Sequence, residues 1–279
     1  MNTKLLLSRN FSCLMAVWLL LITGLPLLAQ TADTCHFRIN RNYLNSYWHA
    51  TACLATRPLH YSGQQWVVAG GLTALAVVAY SQDEAMLTYF SHHLNGQQAS
   101  AIEKWGSPLG NGLVAGPLLA GLYIYGATQN DSRSRQAALA GAQAFILGAG
   151  AAFLLKELTH RPRPDQLNPP NASRWFGPFK GAGYDAFPSG HSLRAFAVAT
   201  VISGMYRDRR WVGITAYSLA GFAAFSRLAN NRHWTSDVVA GAAIGYAIGR
   251  GVLLFNRQQS EHCFTTQLSE NGLGLVLNF

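Results

Sequence analysis

From Trp105 to Asn130 the chain carries no charged residue, and Gln136 to Leu155 is a second uncharged run, closed by Lys156. Strands are typically 3–10 residues long, and these stretches lack the period-two alternation of a half-buried strand. As helices, each is long enough to cross a bilayer core, which takes about 20 apolar residues. Six apolar stretches recur along the chain: Trp66–Tyr80, Gly112–Ala127, Gln136–Leu155, Leu193–Tyr206, Val212–Phe225 and Ser236–Phe255. They are rich in Ala, Leu and Gly, and polar or Gly/Pro-containing segments separate them. The expected fold is therefore all-α, a bundle of about six apolar helices with its functional site at one end, embedded in a membrane. Small-residue helices also pack in soluble bundles, so that alternative stays open.

Composition agrees. Only 12% of the 279 residues are charged, against about 25% in an average soluble domain. That excludes a disordered chain, which needs low hydrophobicity and high charge, and argues against an ordinary cytosolic enzyme. The few charges are lopsided, 21 Lys and Arg against 12 Asp and Glu, for a net +9. Such an excess suits nucleic acid, a membrane surface or a phosphorylated substrate.

The termini read separately from the bundle. Lys4 and Arg9 precede an almost unbroken apolar run, Cys13 to Leu28, ending in Leu27-Leu28-Ala29. This has the layout of a secretory signal cleaved after Ala29; an uncleaved anchor is the alternative. Residues 30–65 then form an N-terminal exported segment, 66–256 the helical bundle and 257–279 a C-terminal tail. Alternating residues from Gly272 to Phe279 suggest that the tail is extended. In an oxidising compartment two of Cys35, Cys53 and Cys263 could pair. No Cys/His cluster has zinc spacing, so no structural metal is expected.

Three motifs carry the chemistry. The first runs from Lys156 to Arg163-Pro164, the second is Pro188-Ser189-Gly190-His191, and the third spans Ser226-Arg227 to His233 and Asp237. Their order places all three at helix ends that an up-down bundle brings to one side. Lys156, Arg163 and Arg227 would then converge as fixed cations, and Arg suits bidentate phosphate binding. Pro188-Ser189-Gly190 opens a helix, where backbone N–H groups and the dipole favour an anion. His191 and His233 offer an acid and a nucleophile. Asp237, four residues after His233, could share its helical face and fix the imidazole tautomer. Taken singly, each element has a plainer reading as a helix cap, dipole complement or surface pair. Arg161 and Arg232 are read as solvated or structural, and the His92-His93 pair has no nearby ligand set. In combination the motifs describe phosphoryl transfer through a phosphohistidine.

The three segments resemble the signature of the type 2 phosphatidic acid phosphatase and vanadium haloperoxidase superfamily: Lys-x6-Arg-Pro, Pro-Ser-Gly-His and Ser-Arg-x5-His-x3-Asp. The resemblance covers roughly Gln136 to Phe255. It implies that His233 attacks phosphorus, with Asp237 orienting it and His191 protonating the leaving alcohol. It also implies that Lys156, Arg163, Ser189, Gly190 and Arg227 hold the phosphoryl oxygens, with no metal and no other cofactor. The expected activity is hydrolysis of phosphomonoesters or diphosphates, of lipids in the first instance. A soluble periplasmic acid phosphatase and a vanadate-dependent haloperoxidase are the alternatives. The expected partners are a phosphorylated substrate and a membrane, not nucleic acid.

Sidedness involves a conflict. With the signal removed and six spanning helices, simple counting places Lys156 in the cytoplasm. Arg207, Arg209 and Arg210 in one loop, with Arg133 and Arg135 in another, lie opposite the site and mark the cytoplasmic end. The arginines are given precedence, so the expected site faces outward, in the cell envelope. Trp175, Phe176, Phe179 and Tyr184 give the loop from Asp165 to Tyr184 an aromatic character, suited to acyl chains, a membrane interface or self-packing.

Overall fold

A computed structural model describes residues 38–178 and 183–270, with side chains as far as residue 257. The expected leader, Cys35, Phe179, the Cys263 side chain and the tail from Gly272 lie outside the described residues. The described residues form nine α-helices and no strand: α1 Arg41–Thr56, α2 Gly63–Ser81, α3 Asp83–His93, α4 Gly96–Asn111, α5 Ala115–Thr128, α6 Ser132–Thr159, α7 Gly190–Met205, α8 Arg210–Ala229 and α9 Thr235–Glu270.

Local chemistry sets the boundaries. Ser62 with Gln65, and Asn95 with Gln98, form reciprocal capping boxes that start α2 and α4. Asp131 accepts from the Arg133 backbone N–H to start α6. That helix stops at His160, whose φ of 42° is left-handed, followed by Arg161-Pro162-Arg163-Pro164. Proline lacks the N–H and clashes with the preceding turn, so the helix cannot continue.

Helix α7 is the centre of the bundle, flanked by α9, α8, α6 and α4. Its Leu193, Ala197 and Val201 pack with Ala140, Ala144 and Ala152 of α6 and with Ile248 and Val252 of α9. The α7–α9 contact is close because Gly241, Gly245 and Gly249 present one bare face. A Cβ on Gly249 would fall 2.6 Å from the Ala197 carbonyl oxygen, and one on Gly241 would fall 2.7 Å from that of Ser189. Small residues four apart are what let apolar helices approach this closely.

Each of the six apolar stretches coincides with a helix, and α1, α3 and α4 are additional. Helix α1 lies within the stretch set apart as an N-terminal segment, yet it docks on α6 through polar contacts. The Tyr43 hydroxyl donates to the Leu139 carbonyl (2.9 Å), and the Gln143 amide donates to Ser46 Oγ (3.1 Å).

Among the described residues, three helices are long and apolar enough to cross a membrane: α6, α8 and the Thr235–Arg257 part of α9. A fourth span is made if α4 and α5, bent by 47°, act as one. Large apolar side chains face outward: Val67 of α2 is 75% exposed, Phe153 of α6 62% and Ile214 of α8 68%. An apolar surface of this kind needs lipid or a partner to cover it.

Candidate active site

The last turn of α6 and the loop after it supply the first two cations. Arg163 grips Asp185 with two parallel hydrogen bonds, Nε to Oδ1 and Nη2 to Oδ2, both 2.8 Å. Lys156 Nζ reaches the same carboxylate at 3.3 Å. Lys156 and Arg163 thus lie together, bridged by a carboxylate that the sequence reading did not identify. Burial opposes the charge of Asp185, yet the hydrogen bond from Arg163 and the charge of Lys156 prevail and hold its carboxyl below the usual range.

Helix α7 begins with Gly190, so His191 lies in its first turn. Its Nε2 is 3.1 Å from Ser107 Oγ of α4. That helix comes close because Gly110 faces the histidine; a Cβ there would fall 2.7 Å from the Cβ of His191. Ser189 is fully buried, accepts from Ser192 Oγ (3.1 Å), and donates its backbone N–H to the Asp237 carbonyl (3.0 Å). That amide joins the second motif to the third. The charges of Arg227, Arg194 and Lys156 all act on His191, and Arg194, one turn further along α7, was not anticipated. Its Nε donates to the Gly190 carbonyl at 3.1 Å.

His233 is buried just before α9. Its Nδ1 lies 2.7 Å from the Ala186 carbonyl, which can only accept, so Nδ1 carries the proton and Nε2 keeps its lone pair. The expectation that Asp237 bonds this nitrogen from a shared helical face is not met. α9 starts at Thr235, so His233 is outside it, and Asp237 Oδ2 is 3.8 Å from Nδ1, beyond hydrogen-bond reach. That oxygen accepts instead from the Trp234 backbone N–H at 2.9 Å, closing the first turn of α9. Asp237 thus holds the backbone of the segment and lends its charge to the imidazole. Burial pushes the His233 pKa below its ordinary value, and the nearby Asp237 carboxylate only partly offsets it.

Arg227, in the last turn of α8, donates to Glu103 of α4 at 3.2 Å, while its buried Nε has no hydrogen-bond partner. Arg232 is partly exposed and pairs with Asp165 at 3.1 Å. Arg161 is not solvated: it is fully buried between Asp83 (2.7 Å) and Asp237 (2.5 Å). The Tyr80, Trp175 and Trp234 rings surround its guanidinium. Two carboxylates, the Ala172 carbonyl and three ring faces replace its water.

The structure brings Lys156, Arg163, Ser189, Gly190, His191, Arg227, His233 and Asp237 to one end of the bundle. Asp83, Glu103, Ser107, Asp185 and Arg194 join them without having been read from the sequence. Three of these, Asp83, Glu103 and Ser107, lie in α3 and α4, upstream of the motifs. The loop aromatics pack largely on each other: Phe176 stacks on Tyr184 with ring centres 4.5 Å apart, and Trp175 meets Phe187 edge-on at 5.3 Å.

Comparison with known proteins places this arrangement. Residues 137–261 match the PAP2 superfamily. The chain is 44% identical to the lipid A 1-phosphatase of Porphyromonas gingivalis over 70 residues, 25% of this chain and 16% of that protein. It is 29% identical to the probable diacylglycerol pyrophosphate phosphatase 1 of Schizosaccharomyces pombe, over 46% of this chain and 56% of that one. The match thus spans less than two thirds of either relative. The crystal structure of Aquifex aeolicus LpxE is similar with a TM-score of 0.47 at 23% identity, covering 61% of this chain and 94% of that one. With the three motifs gathered at one end of an all-helical bundle, residues 137–261 are a PAP2 superfamily domain.

Proposed function

We propose that the protein is a membrane-bound phosphatase that hydrolyses phosphomonoesters or diphosphates of lipids through a phosphohistidine at His233. The observation that carries this reading is the state of His233. Its Nδ1 is committed to the Ala186 carbonyl at 2.7 Å, leaving a neutral Nε2 near Lys156 and Arg163, whose charges act on it. Burial and the nearby cations lower the His191 pKa, so it takes up its proton with the incoming phosphate, whose negative charge offsets those cations. In the first step Nε2 attacks phosphorus, the P–O bond to the alcohol or phosphate leaving group breaks, and His191 donates that proton to the leaving oxygen. The Asp237 charge offsets the positive charge developing on the imidazole. In the second step His191 takes a proton from water, the water oxygen attacks phosphorus, and the P–N bond breaks to release inorganic phosphate. Lys156, Arg163 and Arg227 balance the charge on the phosphoryl oxygens in both transition states. Because these cations supply the charge that a metal would bring, no metal is required, and chelation is expected to leave the rate unchanged.

A lipid substrate is supported by the helices of spanning length, by the outward-facing apolar side chains and by the lipid phosphatases among the relatives. The site faces outward in this reading, because Arg207, Arg209 and Arg210 lie at the opposite end of α7 and α8. The test is a panel on purified protein: phosphatidate, a lipid diphosphate, the lipid A phosphates, a soluble phosphomonoester, and bromide with peroxide and vanadate. Lipid phosphates should be preferred, and His233→Ala or His191→Ala should lower kcat by about 10³-fold or more. Equal rates on the soluble ester would remove the lipid from the proposal, and bromide oxidation would replace it with the haloperoxidase reading.

A further inference from the structure

Asp83 stands outside the three motifs and outside the residues matched by the family, yet it is 1% exposed and touches the segment that carries His233. It lies in the first turn of α3. Its Oδ1 accepts the Ser236 backbone N–H at 2.8 Å, and its Oδ2 accepts the Ser236 hydroxyl at 2.6 Å and Arg161 Nη2 at 2.7 Å. Arg161 Nη1 in turn donates to Ser236 Oγ (2.8 Å) and to Asp237 Oδ1 (2.5 Å). Asp83, Ser236, Arg161 and Asp237 therefore close a ring around the start of α9, and all four are buried.

We propose that Asp83 is a positioning residue for catalysis, locking the His233–Asp237 segment in place through Ser236 and Arg161. The proposal rests on His233 being the nucleophile. Two physical effects carry it. First, the opening N–H groups of a helix have no partner within the helix, and for Ser236 of α9 a carboxylate from another helix supplies one. That carboxylate also complements the positive end of the α9 dipole. The turn carrying the nucleophile is thereby tied to α3 and not only to its own flanks. Second, one guanidinium serves two carboxylates, so the buried group keeps a net negative charge beside His233. Without Asp83, Arg161 would neutralise Asp237 completely. The imidazole would then lose the negative charge that offsets its own as phosphorus is attacked. A buried ion-pair network is weak evidence for stability, since apolar replacements are often at least as stable. Fixing geometry is the better account of this one.

The experiment uses full-length protein with enzyme in excess over one lipid phosphate, so that a single turnover gives a rate constant and an amplitude. The amplitude counts substrate converted and stays complete while competent chains remain in excess, and the rate constant at saturating enzyme reports how well each is arranged. Asp83→Asn keeps the size and one acceptor while removing the charge. Its rate constant should fall about tenfold to a hundredfold, the scale of a small misplacement at a reacting centre. Its amplitude and its inhibition by inorganic phosphate should match the parent, because Lys156, Arg163 and Arg227 are untouched. A parental rate constant, whatever the amplitude, would overturn the proposal and leave Asp83 as a fold anchor. Should Asp83→Asn fail to accumulate, Ser236→Ala is read in the same way. It removes the hydroxyl node but keeps the Asp83–Arg161 pair, so a severalfold slower rate supports the proposal and a parental rate overturns it. His233→Ala is run alongside. If it is inactive while the Asp83 and Ser236 variants are normal, only this proposal falls; if it is active, the nucleophile assignment falls and takes the proposal with it.

Discussion

Asp185 occupies both Lys156 and Arg163, so an incoming phosphate has to displace it or share its cations. Asp185→Asn is accordingly expected to tighten competitive inhibition by inorganic phosphate, about threefold to tenfold, or up to about 1.4 kcal/mol; weaker inhibition would show that the carboxylate helps to build the site. The sign of its pH dependence follows from the depressed pKa. The ion pairs stabilise the fold above the ordinary carboxylate range and are lost as pH falls through that lower value. For His233 the depressed pKa means that the imidazole stays neutral below the ordinary value of about 6.5. The acid limb of kcat/KM should therefore lie below pH 6.5, and a limb above it would contradict the burial argument. The motif residues were legible because fixed spacing and chemistry announce them. Asp83, Glu103 and Ser107 were not, since each is an isolated polar residue in a helix and only the fold shows what it faces. Ala186 could not be read at all, because it acts through a carbonyl that every residue has.

At the scale of elements, the apolar helices were visible as uncharged runs, and their ends as prolines, glycines and capping residues. Helices α1, α3 and α4 escaped because they are more polar, with Glu103, Lys104 and Pro108 interrupting α4. They dock by specific contacts and not by apolar bulk. Two expectations follow. Gly245→Val would push a branched side chain into the α7 backbone at Leu193, and overpacking of this kind costs roughly 1–3 kcal/mol. A lower Tm in detergent should register it. Ser107→Ala removes the hydroxyl beside His191. If that contact orients the acid, kcat should fall severalfold with KM unchanged, and a change in KM alone would place Ser107 in substrate binding.

For the whole molecule, the basic excess divides into two ends. Lys156, Arg163 and Arg227 converge with the histidines, whereas Arg133 pairs with Asp208 in the α7–α8 turn, beside Arg207, Arg209 and Arg210. Arginines of that turn are expected on the cytoplasmic side. A cysteine placed at the exposed Ser173 should then react with a membrane-impermeant thiol reagent in intact cells, above the level of the unsubstituted protein. Labelling only after lysis would reverse the orientation. The bundle architecture was legible because uncharged runs of this length, placed in a membrane, have few other ways to satisfy their backbone. How α3 and α4 complete the site depends on three-dimensional packing that no local pattern encodes. The most direct test of the central claim is to quench turnover rapidly, digest the protein at alkaline pH, where phosphohistidine survives, and map the phosphate by mass spectrometry. The expected result is transient phosphate on His233 that, with a leaving group good enough to need no acid, builds up when His191 is replaced by a residue unable to activate water. Phosphate on another residue, or full activity in His233→Ala, would contradict it.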